Sequence, residues 1–242
     1  MRMKRKELLD KMKATGIQLD WTAILPEGKE GPTEREGTGI YATRTGDAAT
    51  ITLRGEIGYD IKAGELDKEL DTTAKDAKSI RFDIASIGGD VNESVRISAL
   101  ISDVSKKAEV PTRGVEVVAS GAIMLMASAK ARTSIKAASY MAHASHLAAL
   151  MVVNANTVGN AAERLKVVLE AADRMQREIY TEAGIAEEVV NKWLTAEEDT
   201  WMTPGEALEA GLLTGIEEPR PVDAKMNAAI LTEMRIRMRN RK

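Results

Sequence analysis

Between residues 49 and 129 the apolar positions switch back and forth between two spacings, and this constrains the fold more than any other feature. "ATITLRGEI", residues 49–57, alternates Ile51 and Leu53 with Thr52 and Arg54, the period of two of a strand. "DIKAGELDKELDTTAKDA" follows with helical spacing at Ile61, Leu66 and Leu70. "SIRFDIAS" alternates Ile80, Phe82 and Ile84, a second strand, and "IGGD" reads as the turn after it. Asp90 and Glu93 then form a capping-box pair ahead of a helix whose Ile97, Leu100, Ile101 and Val104 share one face. "TRGVEVVA" is a third strand, running straight into Ser120, and residues 121–128 read as a buried helix. Three strand–helix units in succession, joined by right-handed crossovers, give a mostly parallel sheet with helices packed over it.

Such a sheet places its site beyond the carboxyl ends of the strands. Both "IGGD" and "ASGA" fall there. Ser120 is a hydroxyl set among alanines and a glycine, where packing alone needs none. The N–H of Gly121 follows it at a helix start, where backbone donors have no intrahelical acceptor. Gly89, with no side chain to block approach, offers a second donor from the neighbouring turn. Paired N–H groups beside a hydroxyl suit the oxyanion of acyl transfer.

A serine needs a base to take its proton. The chain has two histidines, His143 and His146. His143 closes the short strand "SYMAH" and can reach the same edge; His146 reads as a surface or hairpin residue and the fallback base. An orienting carboxylate must come from "EEDTWMTPGEA", where Glu197, Glu198 and Asp199 compete. Thr203, Pro204, Glu206 and Gly211 mark a small, tightly bounded helix just beyond. Residues 160–183 give the longest helix, with Leu165, Val168, Leu169, Ala172, Met175 and Ile179 on one face and Gly184 to end it.

Composition removes other chemistries. There is no Cys, which excludes disulfides, thiolate nucleophiles and zinc–thiolate sites. Net charge is −3 and aromatics are 3% of the chain, so neither a global attraction to nucleic acid nor a base-stacking platform is expected. No Walker-type loop is present, so no nucleotide is expected. The apolar run ending at 129 is shorter than the ~20 residues that span a bilayer, and a cytoplasmic location is expected.

Taken together, "SIGGD", "ASGA", "MAHAS" and "DTWMTPGEALEAGLL" resemble, in order and spacing, the motifs of the proteolytic subunit of the Clp protease, over roughly residues 49–217. "GEIG", "GGDV" and "WMT" are most similar to the ClpP-related head maturation proteases of tailed phages. The resemblance implies a ClpP/crotonase-type α/β fold with a protruding strand/helix handle at about 147–183. It implies a serine endopeptidase with Ser120 as nucleophile, His143 as general base and Asp199 as its partner, and an oxyanion hole at Gly89 and Gly121. No metal or other cofactor is implied. The implied partners are scaffold or capsid proteins inside a phage prohead, and further copies of the chain in a homo-oligomer, as a ring. The sequence departs from that pattern at Ile87, where the family has Pro, and after His143, where Gln-Pro or Asn-Pro is usual.

Two other readings share this frame. Crotonase-type acyl-CoA enzymes use paired backbone donors without the triad, and a capsid-associated structural protein could carry an inert site. Residues 1–48 are expected to be an N-terminal extension, with an amphipathic helix over 1–16 and a linker at 25–39. Residues 218–242 are expected to be a linker and a basic helix or tail, the one segment suited to bind DNA or an acidic scaffold.

Overall fold

The computed structural model describes residues 37–146 and 156–218. The expected 1–16 helix, the basic tail after 218 and the start of the handle at 147–155 lie outside the described residues.

The strand–helix succession is present. Strand β1 (Gly39–Thr45) and β2 (Ala48–Ile57) form a hairpin, followed by α1 (Ala63–Asp71), β3 (Ser79–Gly89), α2 (Val91–Val104), β4 (Pro111–Ala119) and α3 (Gly121–Ala127). Then come β5 (Ala131–Ser134), β6 (Ser139–Ala142), α4 (Val158–Glu182), α5 (Glu187–Thr195), β7 (Thr200–Met202), α6 (Pro204–Glu209) and β8 (Gly215–Ile216). The fold is a mixed α/β one with a mostly parallel sheet. Its order is β1-β2-β3-β4-β5-β8, with antiparallel pairing only at β1–β2 and β6–β7.

Alternation on the strands sends one side chain in two into the core. Ile51, Leu53, Ile80, Phe82 and Ile84 are fully or almost fully buried and meet Ile97 and Ile101 of α2. Arg81, Asp83 and Arg113 occupy the intervening positions; Arg81 pairs with Asp83 at 2.9 Å, and Arg113 with Glu217 at 3.0 Å. All seven residues of α3 are buried. Nothing on that helix faces water, so its apolar run has no polar stripe.

Strand β4 pairs with β3 along one edge and with two partners along the other. Its first half, Pro111–Gly114, pairs with β5, and its end, Val117–Ala119, pairs with β6. Tyr140 of β6 fills the fork, and a Cβ on Gly114 would stand 2.0 Å from its hydroxyl. Gly114 is therefore required by close approach. The fork brings β6 alongside the carboxyl end of β4 in parallel, with Ala119 opposite Met141.

Several expectations change. "IGG" is not a turn; β3 runs through it and pairs Gly88 and Gly89 with Glu56 and Ile57 of "GEIG". Gly88 and Gly89 have positive φ, 89° and 144°, which glycine adopts without a Cβ clash. Asp90 does cap α2, accepting from Glu93 N–H at 2.8 Å. The box is not closed, because the Glu93 carboxylate accepts from Ala63 N–H at 2.8 Å and tethers α1 instead. The first helix is shorter than its pattern, as Ile61 sits buried ahead of it in a bridge to Ile57.

Strand β1 falls in the segment expected to be extension and linker. On α4 the buried positions are Ala161, Ala172, Gln176 and Tyr180, while Val167 and Val168 are exposed. The stripe drawn through Leu165, Val168 and Leu169 therefore meets the core only in its second half. Thr203, Pro204 and Glu206 form the expected capping box, and Gly184 and Gly211 follow their helices with positive φ.

Candidate active site

Ser120 sits between β4 and α3 with φ 54° and ψ −126°, a backbone region that side chains with a Cβ avoid. Strain of this kind costs on the order of 1–3 kcal/mol and persists only where the surroundings enforce it. Here they do. Ser120 N–H donates to the Met141 carbonyl at 2.8 Å, and the Ser120 carbonyl accepts from Ile123 N–H at 2.9 Å. The buried α3 holds the turn from below.

The β4–β6 register then sets the imidazole. With Ala119 opposite Met141, His143 leaves β6 beside the serine. His143 Nε2 and Ser120 Oγ are 2.8 Å apart. Burial, followed by the charge of nearby His146, lowers the His143 pKa; Asp199, the Ala144 backbone and Asp173 pull the other way. The net direction favours the neutral ring, the form able to accept a proton.

The other expected residues are placed less tightly. Asp199 lies one residue ahead of β7, exposed, and acts on His143 through its charge. The His143 Nδ1 atom is buried and has no hydrogen-bond partner among the described residues, so no bond joins it to Asp199. Glu197 and Glu198 are exposed. Gly88 is wedged against the serine turn: a Cβ there would stand 2.6 Å from Ser120 Cβ and 2.8 Å from Gly121 N. A Cβ on Gly121 would lie 3.7 Å from Gly89 N and 2.3 Å from Ser94 Oγ. Gly89 and Gly121 therefore lie close to one another at the serine turn. Ile87, in place of the family's Pro, is exposed near the end of β3.

Sequence reasoning missed the anchor behind the imidazole. Ser145 N–H donates to Asp173 Oδ1 at 2.6 Å, Gln176 donates to Ser145 Oγ at 2.8 Å, and Tyr180 OH donates to Gln176 Oε1 at 3.0 Å. These bonds tie the segment after His143 to α4. The available signal was Gln176 itself, a polar residue between Ala172 and Tyr180 on the buried face.

A family model described as Clp protease matches residues 40–220. Among solved structures, a point mutant of ClpP1 from Listeria monocytogenes is similar, at 25% identity and a TM-score of 0.54. The match covers 71% of this chain and 92% of that one. No curated protein matches the sequence.

Proposed function

Because the chain belongs to the Clp protease family, we propose that it is a serine endopeptidase using Ser120, His143 and Asp199. The observation that carries this reading is the 2.8 Å contact between His143 Nε2 and Ser120 Oγ. His143 takes the hydroxyl proton as Ser120 Oγ attacks a peptide carbonyl carbon. The resulting oxyanion faces the N–H groups of Gly89 and Gly121. Collapse breaks the C–N bond, and the imidazolium returns its proton to the leaving amine. Water, deprotonated by the same ring, then releases the acyl group.

Asp199 completes the arrangement when it turns onto His143 Nδ1, a buried atom without a hydrogen-bond partner among the described residues. A fluorophosphonate should label the peptide containing Ser120, and Asp199→Asn should slow labelling by about 10²–10⁴. An unlabelled, folded protein would end the proposal.

The finer role we infer is head maturation in a tailed phage, with scaffold or capsid proteins as substrates. The likeness of "GEIG" and "GGDV" to the motifs of those proteases supports it. Cleavage of a co-expressed scaffold by wild type and not by Ser120→Ala tests the role. Self-association is part of the same reading. Val158, Val167 and Val168 leave α4 with exposed apolar side chains in a single chain. Sedimentation should show an oligomer at micromolar concentration; a monomer there would remove this element.

A further inference from the structure

His146 lies against His143, with ring centroids 4.3 Å apart and planes inclined at 47°. Its backbone neighbour Ser145 is fixed to Asp173 and Gln176 of α4, so the contact is held rather than casual. His146 is exposed and His143 half-buried. We propose that His146 acts on the site through His143, a second imidazole lying against that ring whose charge keeps it a free base in mildly acidic solution. The proposal rests on reading His143 as the general base.

Two rings in contact do not both carry charge cheaply. Charge on the His146 ring works against a proton on His143. The groups facing His143 are Ser120 on the serine turn, Asp173 on α4, Asp199 ahead of β7, and His146. Both carboxylates favour a charged ring, which a fixed triad needs during turnover but not at rest. His146 offsets them. Its effect on rate is therefore confined to the acid side, where His143 would otherwise be protonated.

The chain has only these two histidines, so ring resonances can be assigned by one substitution. His146→Gln removes ring and charge; His146→Phe keeps a ring and removes the charge. In both, the NMR titration midpoint of His143 should move to higher pH. Fluorophosphonate labelling should fall about threefold near pH ~6 and stay within about twofold near pH ~8.5. A His143 midpoint unmoved or lowered in both variants overturns the proposal. The NMR readout does not depend on hydrolysis. A moved midpoint without any labelling keeps the imidazole pair and fails the hydrolase reading instead.

Discussion

Ser120→Ala should lower peptide hydrolysis by roughly 10⁵–10⁶ in kcat while leaving the fold intact. The variant keeps a Cβ, so the strained φ of 54° is no worse than before. It loses one hydrogen bond, to His143 Nε2, worth on the order of 1 kcal/mol. Circular dichroism and thermal unfolding should therefore stay close to wild type. His143→Ala should cost a similar factor, and the double variant little more than either alone, because the two groups act in one proton transfer. Turnover by Ser120→Ala within tenfold of wild type would remove the serine from the mechanism.

Gly88→Ala should damage both stability and activity. The added Cβ meets Ser120 Cβ at 2.6 Å, the Ala119 carbonyl at 2.7 Å and Gly121 N at 2.8 Å, all parts of the serine turn. None is the free end of a flexible side chain. The backbone φ of 89° adds strain of its own. Overpacking and strain together come to about 3 kcal/mol, or roughly 6–12 °C in Tm. Shifting the nucleophile costs at least ~10² in rate. Gly184→Ala is the control: φ is 81°, but nothing lies within 4 Å of the new Cβ, so strain acts alone there. Equal losses in the two variants would show that collision with the serine turn contributes nothing.

The sheet from 48 to 119 was legible because its strands are long enough to show a period and each is followed by a helix or a glycine. The Thr203 box was legible because all its members lie within four residues. Strands β7 and β8 have three and two residues, too few to carry a period. Strand β1 was hidden by the polar "EGTG" before it, though Gly46-Asp47 is a two-residue hairpin signal. Helix α5 buries Val190, Trp193 and Leu194 at helical spacing, but its N-cap, Ala186, offers no capping side chain. At the site, Ser120 and His143 could be paired only through the order of four weak motifs. What joins them is the Ala119–Met141 register and the forked β4, and neither is written in local sequence. Asp173 and Gln176 lie about thirty residues beyond the histidine they steady, and only the packing of α4 brings them back.

The seven enclosed residues of α3 make the two halves of the proposed catalyst unequal in durability. Dislodging the serine means opening the protein's interior, so its geometry survives until the whole molecule melts. The imidazole hangs from a four-residue strand and a few polar ties to α4. Reversible inactivation by mild heat, dilution or a bound regulator would therefore unseat the histidine first, leaving an intact shell with its nucleophile still cocked and no partner to fire it.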